Sequence, residues 1–405
     1  MQPLNAPDRF LPYSKQIIGD DDVDRVVAVL RDPLITRGPL QPRFEAELAA
    51  YCGARFGALF PNGSIALQMA AAAAGLGPGD KVLTTPITFV ATANAARYCG
   101  AEVVFADIDP ESFNIDLGEV ERLLDGSVKA VIPVDLAGEP VDLAALRRLV
   151  GDDVVIISDS CHALGADYRD AGGRWRKVGD CEHADMEVFS FHPAKNITSA
   201  EGGIVLTNSE ELSRSLKLLQ NNGITDEPGE WAHTELGFTA DVDGRRRPNP
   251  WYYEMQILGQ NCRLTELQCA LGLSQLEKLD SFVESRRALS RYYRERFGGS
   301  PIGFQKVSSG ARSGCHLFIL QVDFEGFGTT RAEVMSALRE AGIGTQVHYI
   351  PVHYQPYYRM LGFKPGSLPR SEAYYERALS IPLFADLKES EAEYVVHTIF
   401  ELLRV

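Results

Sequence analysis

The stretch that decides the fold is Val188-Phe-Ser-Phe-His-Pro-Ala-Lys195-Asn-Ile-Thr-Ser-Ala-Glu201-Gly-Gly203. An apolar run breaks at a proline, presents one lysine and ends in two glycines, and strand-like runs at 186–191 and 204–207 flank the lysine. A lysine in such a turn is most commonly a solvated loop residue. The alternative is an amine that is partly removed from water, stays neutral and reacts with a carbonyl group. Partners elsewhere in the chain must decide between the two.

Apolar runs recur along the chain before this stretch and alternate with helical segments. The predicted strands are 57–60, 82–85, 103–106, 130–135, 154–158 and 186–191, and the helices between them include 65–76 and 143–150. Near-continuous apolar strands separated by helices are typical of parallel sheets that are buried on both faces. We therefore predict an α/β fold with a mostly parallel central sheet between helices. Ligands of such sheets bind beyond the carboxyl ends of the strands.

Asn62-Gly63-Ser64 lies between the strand at 57–60 and an alanine-rich helix. This position places backbone amides at a helix N-terminus, where the free N–H groups and the helix dipole favour a phosphate. An ordinary N-cap, in which Asn62 or Ser64 satisfies those amides, is the more common reason for such a motif. The motif alone leaves both interpretations open.

Phe89 follows the strand at 82–85, in the run Thr84-Thr-Pro-Ile-Thr-Phe-Val-Ala-Thr-Ala-Asn94. A large aromatic ring at the ligand edge of the sheet can stack on a flat ligand. Most phenylalanines are simply core residues, so this residue does not decide the question alone.

Asp159 ends the fully apolar strand at 154–158, and His162 follows three residues later. A buried carboxylate is costly without a cation. One suitable cation is the protonated pyridine nitrogen of pyridoxal phosphate, a cofactor that also reacts with a lysine amine. The alternatives are that Asp159 caps a helix and that His162 is a hydrogen-bonded core histidine. Ser190, five residues before Lys195, is a further hydroxyl for a phosphate.

Composition excludes several classes of protein. The 405 residues are 45% hydrophobic and carry a net charge of -15, which argues against nucleic acid or an anionic membrane as a general partner. The seven cysteines are scattered without a CxxC pair, so neither a disulfide framework nor a zinc site is predicted. We expect no targeting or membrane segment and no metal, and a reducing cytoplasm suits the chain best.

The second half of the chain changes its pattern after residue 260. From Asn261 the sequence is helical to about Phe297, and a strand at 316–322 and helices at 331–341 and 389–403 follow. The chain length also favours two domains. We therefore predict a large domain at 1–260, which includes an N-terminal arm, and a smaller C-terminal α+β domain at 261–405. Residues 225–250 are predicted to be a surface excursion.

Six strings in this sequence resemble one family along nearly the whole chain, from 11 to about 387. The strings are Leu34-Ile-Thr-Arg-Gly-Pro39, the run from Thr84 to Asn94, Asp159 with His162-Ala-Leu-Gly165, Phe189-Ser-Phe-His-Pro-Ala-Lys195 with Glu201-Gly-Gly203, Pro250-Trp-Tyr-Tyr-Glu-Met255 and His348-Tyr-Ile-Pro-Val-His353. They resemble the DegT/DnrJ/EryC1/StrS family of sugar-nucleotide aminotransferases, and most of all its pseudaminic-acid branch. That resemblance implies the fold of type I pyridoxal-phosphate-dependent transferases.

The resemblance also implies roles for individual residues. Lys195 would bind the cofactor covalently and move the proton in catalysis, Asp159 would pair with the pyridine nitrogen and Phe89 would stack on the ring. The remaining cofactor residues implied are Gly63, Ser64 and Ser190 at the phosphate, His162 at the ring hydroxyl and Asn261, which reaches the phosphate of a partner subunit in a homodimer. The residues implied for the substrate are Tyr13, Lys15, Thr36, His348 and Tyr349.

The activity implied by the resemblance is transfer of an amino group from L-glutamate to the 4-keto carbon of a UDP-linked 4-keto-6-deoxy-N-acetylhexosamine. The family commonly has Ser-Gly-Thr or Ser-Ala-Thr where this chain has Asn62-Gly63-Ser64, and Glu-Asp-Ala-Ala-His or Glu-Asp-Ala-Cys-His where it has Ser158-Asp-Ser-Cys-His162. Both changes keep the hydroxyl or the carboxylate. The 225–250 segment matches the family less well, which leaves the sugar open.

Four alternatives stay open at this point. The chain could aminate another nucleotide-linked keto sugar, or it could be a sugar dehydratase of the same family, although such enzymes have histidine where this chain has Lys195. It could also be a sugar-nucleotide binding protein without a cofactor. A nicotinamide-dependent enzyme is disfavoured because no GxGxxG fingerprint follows any strand.

Overall fold

The structure, a computed structural model, describes residues 6–405, so residues 1–5 of the predicted N-terminal arm lie outside the described residues. The strands are β1 (Phe56–Phe60), β2 (Lys81–Thr84), β3 (Glu102–Phe105), β4 (Val128–Ile132), β5 (Val155–Asp159), β6 (Asp167–Arg169), β7 (Trp175–Lys177), β8 (Met186–Ser190), β9 (Gly203–Thr207), β10 (Ile224–Thr225), β11 (Phe238–Ala240), β12 (Arg246–Pro248), β13 (Glu254–Met255), β14 (Gly303–Phe304), β15 (Ala311–Arg312), β16 (Phe318–Gln321) and β17 (Ala378–Ile381). The helices are α1 (Asp20–Leu30), α2 (Leu40–Cys52), α3 (Gly63–Ala73), α4 (Val90–Tyr98), α5 (Leu117–Leu123), α6 (Leu143–Val150), α7 (Glu210–Gln220), α8 (Thr234–Gly237), α9 (Glu266–Leu276), α10 (Leu279–Phe297), α11 (Arg331–Glu340), α12 (Pro356–Met360), α13 (Pro369–Arg377) and α14 (Glu389–Leu403).

A seven-stranded sheet with the order β1-β9-β8-β5-β4-β2-β3 forms the centre of the first unit. Strand β9 runs antiparallel to both of its neighbours, and the other neighbouring strands pair in parallel. All residues of β8 and β9 are buried. Alternate residues of these strands enter two separate apolar cores, one on each face of the sheet. The predicted α/β class with a mostly parallel sheet between helices is therefore confirmed.

Strand ends differ from the predicted ends by a few residues, and one difference has a clear cause. The strand predicted at 130–135 ends at Ile132, because Pro133 has no backbone N–H to continue the ladder. The strand predicted at 154–158 continues to Asp159, whose N–H donates to the Pro133 carbonyl at 2.9 Å. The chain after β4 and the carboxylate of Asp159 thus lie together at one edge of the sheet.

The second unit is built on a small antiparallel sheet, β14-β16-β17, against α10, α11 and α14. Its core includes Leu11 from the N-terminal arm, which is fully buried and pairs with Ile343. Helix α9 packs instead against α1 and α2 of the first unit. The division at 260/261 remains a proposal, in which the arm and α9 each cross to the other unit.

The predicted excursion at 225–250 contains the pairs β10–β13 and β11–β12. Trp231 is 7% exposed and packs on Phe238 and Tyr252, whereas Trp251 is 73% exposed.

Among residues 6–405, none of the helices combines the length and the apolar composition needed to cross a membrane.

Candidate active site

Lys195 lies in the loop that joins β8 to β9 and is partly buried. The Lys195 amide N–H donates to the carbonyl oxygen of His192 at 2.8 Å. The next residue, Asn196, donates its side-chain amide to the carbonyl oxygens of Leu164 and Gly314, both at 2.9 Å. Hydrogen bonds on both sides of Lys195 therefore hold the backbone that carries the amine.

Burial lowers the pKa of Lys195, because the charged ammonium form loses hydration. Negative charge on Cys161 or Asp159 would raise the pKa of Lys195. Burial also raises the pKa of Cys161 well above its usual range, so this thiol stays uncharged near neutral pH. Asp159 is thus the nearby group that can carry the opposing negative charge, and a lysine with a lowered pKa has more of the neutral, nucleophilic form.

Asp159 is the last residue of β5 and is 5% exposed. Its Oδ2 accepts a hydrogen bond from the Thr92 hydroxyl at 2.6 Å, and its Oδ1 accepts one from the Cys161 N–H at 3.3 Å. A buried carboxylate with these two donors has no cationic partner among residues 6–405. A cationic group bound at this edge of the sheet would complete its pairing.

Helix α3 begins at the turn that the sequence singled out. Asn62 is its N-cap, and the side-chain Oδ1 of Asn62 accepts from the Ile65 N–H at 2.9 Å. The first helical hydrogen bond runs from the Ala66 N–H to the Asn62 carbonyl, so the amides of Gly63 and Ser64 precede the helical ladder. The cap and the anion site are therefore compatible: Asn62 supplies the cap and the next two amides remain for a ligand.

The same turn touches the end of β8. A Cβ atom added to Gly63 would lie 2.9 Å from the Cβ and 3.2 Å from the Oγ of Ser190, and 3.3 Å from the Cys161 Sγ. Only glycine leaves this space open. Ser190 is itself 8% exposed. The structure thus brings together Gly63 and Ser190, two residues that the sequence assigned to a phosphate, while Ser64 beside them is exposed.

Phe89 precedes α4 and is 56% exposed, so it is not a core residue. Its ring centroid lies 6.3 Å from the ring centroid of Tyr349. An aromatic face of this size at the carboxyl-end edge of the sheet is free to contact a flat ligand.

His162 is 6% exposed and makes two hydrogen bonds. The Ala137 N–H donates to His162 Nδ1 at 3.2 Å, and His162 Nε2 lies 3.0 Å from the Tyr349 hydroxyl. The His316 ring packs 4.4 Å from the His162 ring. Burial lowers the pKa of His162 well below its usual range, with Lys195 contributing in the same direction. The histidine is therefore neutral near pH 7.

Tyr13 and His348 lie beside this pair, with ring centroids 5.1 Å apart. His348 is 6% exposed and its Nδ1 is 2.8 Å from the Ser380 hydroxyl. Burial lowers the pKa of His348 to about 3. Both residues, assigned to the substrate from the sequence, thus adjoin Tyr349.

Three further predicted residues make no hydrogen bond to His162 or Tyr349 among residues 6–405. Lys15 forms an ion pair with Asp386 at 2.7 Å and lines a narrow recess that also includes Lys195. Thr36 is exposed, and Asn261 is exposed with a backbone pairing to Asn221. Neither Thr36 nor Asn261 forms a hydrogen bond to Lys195 or to Asp159 within the described chain.

Several residues of the site were missed by the sequence analysis. Thr92 lies one helical turn after Phe89, so the spacing of α4 could have placed it beside Asp159. Asn196, His316 and Arg286 carry no comparable signal, because their contacts join segments that are distant in the chain. The Arg286 guanidinium is 2% exposed and donates to the carbonyl oxygens of Leu383 (2.7 Å) and His316 (3.2 Å).

The assembled groups can bind an anion at the start of α3, a flat ring beside Phe89 and a cation at Asp159. Lys195 adds a reactive amine. Within residues 6–405 there is no group of three His, Cys, Asp or Glu side chains that could hold a metal ion.

The sequence profile of the DegT/DnrJ/EryC1/StrS aminotransferase family matches residues 16–400. The spore coat polysaccharide biosynthesis protein SpsC of Bacillus subtilis (strain 168) is 34% identical over 399 residues, which cover 98% of this chain and 97% of that protein. The UDP-4-amino-4,6-dideoxy-N-acetyl-beta-L-altrosamine transaminase of Campylobacter jejuni is 35% identical over 400 residues, or 97% of this chain and 98% of that protein.

Solved structures show the same similarity. A sugar aminotransferase candidate, Spr1654 from Streptococcus pneumoniae, superposes in its PLP form with a TM-score of 0.85 at 27% identity, and covers 98% of this chain and 99% of its own. Its PMP form superposes with a TM-score of 0.86. Helicobacter pylori PseC, an aminotransferase of pseudaminic acid biosynthesis, has a TM-score of 0.84 at 28% identity over 98% of this chain and 100% of its own.

Proposed function

Since this chain belongs to the DegT/DnrJ/EryC1/StrS aminotransferase family, we propose that it transfers an amino group from L-glutamate to the 4-keto carbon of a UDP-linked 4-keto-6-deoxy-N-acetylhexosamine. The chain is a pyridoxal-phosphate-dependent sugar aminotransferase with the fold of that enzyme class. The observation that carries the proposed chemistry is the position of Lys195, a partly buried amine with a lowered pKa in the charge environment of Asp159.

The residues present fit pyridoxal phosphate. The space kept open by Gly63 against Ser190, together with the free amides at the start of α3, suits the phosphate. The carboxylate of Asp159, which lacks a cationic partner among the described residues, suits a protonated ring nitrogen. Phe89 offers an exposed face for the ring. When bound, the cofactor supplies an aldehyde that reacts with amines and a ring that accepts electrons.

Lys195 is proposed to bind the cofactor and to move a proton at the substrate carbon. Its lowered pKa increases the fraction of neutral amine, which is the form that acts as a nucleophile and as a base. The hydrogen bonds of Asn196 hold the loop on which the amine lies. Lysine at this position favours amination over dehydration, since family dehydratases have histidine there.

Asp159 is proposed to keep the ring nitrogen protonated. Thr92 fixes one oxygen of the carboxylate at 2.6 Å, so the carboxylate would not have to reorient to pair with the ring nitrogen. This preorganisation is the contribution that Asp159 makes to the reaction.

Asn261 is proposed to act across a subunit boundary. Within the described residues it is exposed, pairs with Asn221 and makes no hydrogen bond to Lys195. We propose a homodimer in which Asn261 of one copy reaches the phosphate site of the other, and a cytoplasmic location, which suits the seven free cysteines.

The sugar proposal is supported by the Campylobacter relative and by PseC. Tyr13 and His348 lie beside the cofactor site, and Lys15 lines the recess at Lys195, so these residues are proposed to contact the substrate with Thr36. SpsC is nearly as similar but has a different name and pathway, which favours another nucleotide-linked keto sugar as the second candidate.

Glutamate-dependent amination of a panel of UDP-, GDP- and dTDP-linked keto sugars tests the proposal. We expect the UDP-linked 4-keto-6-deoxy-N-acetylhexosamine to have the highest kcat/KM. Lys195→Ala should abolish amination, while Lys306→Ala, which removes an exposed lysine, should not. Preference for a GDP or dTDP sugar would overturn the substrate, and normal turnover of Lys195→Ala would overturn the mechanism.

A further inference from the structure

His162 has both ring nitrogens in hydrogen bonds, and their geometry determines where its hydrogen lies. The Ala137 N–H points at Nδ1 from 3.2 Å, so Nδ1 accepts and carries no hydrogen. A neutral imidazole keeps one hydrogen, which is therefore on Nε2. Nε2 lies 3.0 Å from the Tyr349 hydroxyl oxygen. His162 consequently donates to Tyr349, and Tyr349 cannot donate back.

The backbone around Ala137 supports this assignment. Ala137 has φ 59° and ψ 7°, in the left-handed region that residues other than glycine seldom adopt. The Ala137 carbonyl oxygen in turn accepts the His316 N–H at 3.0 Å. Hydrogen bonds at both its N–H and its carbonyl therefore restrict Ala137, whose N–H reaches His162.

The Tyr349 hydroxyl must direct its own hydrogen elsewhere. Its oxygen accepts from His162, and residues 6–405 provide it with no second hydrogen-bond partner. Burial, assisted by Asp159, raises the pKa of Tyr349 well above its usual range, so the hydroxyl stays protonated. The titratable groups that face it are Asp159, Tyr13, Cys161 and Tyr374, together with His162 and His348. Tyr349 is therefore a hydrogen-bond donor that lacks an acceptor among residues 6–405.

The order of strands shows which part of the cofactor would meet this donor. Strand β5, which carries Asp159, separates β8 and β1 on one side from β4 and β2 on the other. The phosphate residues Gly63 and Ser190 follow β1 and end β8. Ala137 follows β4, and the Tyr349 segment lies against the chain after β2, where the Val352 N–H donates to the Pro86 carbonyl at 2.9 Å.

In pyridoxal phosphate the phosphate arm and the ring hydroxyl lie on opposite sides of the axis through the ring nitrogen. With the nitrogen at Asp159 and the phosphate on the β8 side, the ring oxygen would face the β4 side, where Tyr349 lies. We propose that Tyr349 donates its hydroxyl hydrogen to the ring oxygen of pyridoxal phosphate and that His162 is a positioning residue that acts through Tyr349. This inference rests on the cofactor placement in the proposed function.

The inference reassigns two residues. From the sequence, His162 was expected to support the ring hydroxyl directly and Tyr349 was expected to contact the substrate. In the structure the Nε2 hydrogen of His162 is used by Tyr349. Tyr349 therefore takes the cofactor contact, and the two roles have different experimental signatures: a substrate contact changes KM, whereas a cofactor contact changes the spectrum before substrate is added.

Tyr349→Phe provides the test, read from the visible absorbance of the holoenzyme during a pH titration without substrate. A donor at the ring oxygen stabilises its anionic form most when the nitrogen that links Lys195 to the cofactor has lost its proton. Loss of the donor should therefore raise the pH midpoint by about one unit. Tyr358→Phe removes a buried hydroxyl that donates to Asn94 Oδ1 at 2.8 Å outside the site, and should leave the midpoint unchanged.

His162→Leu provides an independent second variant. It removes the Nε2 donor while Tyr349 keeps its hydroxyl, so the midpoint should rise by less than in Tyr349→Phe. An unshifted midpoint in both variants, with an increased KM in Tyr349→Phe, would overturn the proposal and restore the substrate contact. Failure of the proposed function is distinguishable, because it appears as a yellow enzyme that does not aminate the sugar panel.

Discussion

At the scale of single residues, two hydrogen bonds hold the Asp159 carboxylate in position. The Thr92 hydroxyl fixes its Oδ2 at 2.6 Å, and the amide of Cys161 reaches Oδ1. Asp159→Asn keeps an oxygen for Thr92 but removes the negative charge. Because the ring nitrogen would then lose its counter-charge, we expect kcat to fall about 100-fold or more. Steady-state kinetics check this, with thermal unfolding as the control for folding; a kcat within about threefold of wild type would contradict the role.

Asp135 provides a prediction about pH at the same scale. Burial raises the pKa of this 1% exposed carboxyl to about 7, with its Oδ1 accepting from the Val141 N–H at 2.8 Å. The folded state therefore keeps a proton that the unfolded chain loses near pH 4. The stability contributed by this group is fully present below about pH 4 and is lost as pH rises to about 7.

Asp135→Asn should remove that loss, because the amide has the same shape, can accept from Val141 and does not ionise. Urea unfolding at pH 5 and pH 8 should show a smaller decrease in the free energy of unfolding for the variant, by up to a few kcal/mol. Asp152→Asn, at an exposed position, should follow the wild type. An identical decrease in wild type and Asp135→Asn would contradict the raised pKa.

Residue identities could be predicted from the sequence where a side chain is unusual for its position. A lysine between two strands and an aspartate at the end of an apolar strand are such cases, and both meet at one edge of the sheet in the structure. The His162–Tyr349 hydrogen bond could not be predicted in this way, because it joins residues 187 positions apart. Nothing in the local sequence indicates which ring nitrogen of His162 carries the hydrogen.

At the scale of elements, the junction of α3 with β8 leaves no room for a side chain at Gly63. Gly63→Ala would place a methyl group 2.9 Å from the Ser190 Cβ, so the turn or the strand end must shift. We expect a loss of about 1–3 kcal/mol in the free energy of unfolding and about a tenfold weaker affinity of the apoenzyme for pyridoxal phosphate.

Gly77→Ala is the matched control, because no atom lies within 4 Å of the Cβ it would add. Chemical denaturation and a fluorescence titration of the apoenzyme measure the two effects. If Gly63→Ala binds pyridoxal phosphate as tightly as Gly77→Ala does, the turn is not the phosphate site.

The positions of the strands could be predicted well, because burial on both faces leaves a continuous apolar run. The directions of the strands could not be predicted. Strand β9 is a mostly apolar run like its neighbours but runs antiparallel to both. An apolar run indicates that a strand is buried but does not indicate its direction. Only the short loop at Lys195 points to the reversal at β9.

At the scale of the whole molecule, Arg286 connects three parts of the chain. This buried residue of α10 donates to the carbonyl oxygens of His316 and Leu383, and Ser14 of the N-terminal arm lies 3.5 Å from its guanidinium. The Ser14 hydroxyl donates to the carbonyl oxygen of Ala194 at 2.8 Å, next to Lys195. The arm, the second unit and the loop of the amine are thereby coupled.

Arg286→Leu should leave these carbonyl oxygens without partners and lower the free energy of unfolding by about 2–4 kcal/mol. Arg291→Leu, on the same helix but at an exposed ion pair with Glu284, should change it by less than about 0.5 kcal/mol. Urea denaturation compares the two variants. Equal stability of both would show that Arg286 does not connect the units.

The division into two units near residue 260 stays a prediction from chain length and from the change of pattern there. The crossing of the arm could not be predicted, because Leu11 is one apolar residue in an irregular segment and its partner Ile343 is more than 300 residues away. Contacts of this kind depend on the assembled fold and leave no periodic signal.

The proposed function depends most on Lys195 as the amine that binds the cofactor. Borohydride reduction of the purified enzyme, followed by proteolysis and mass spectrometry, tests it directly. We predict a single peptide that carries the reduced cofactor, with the modification on Lys195. A modification on another lysine, or a yellow protein in which borohydride fixes no cofactor, would contradict it.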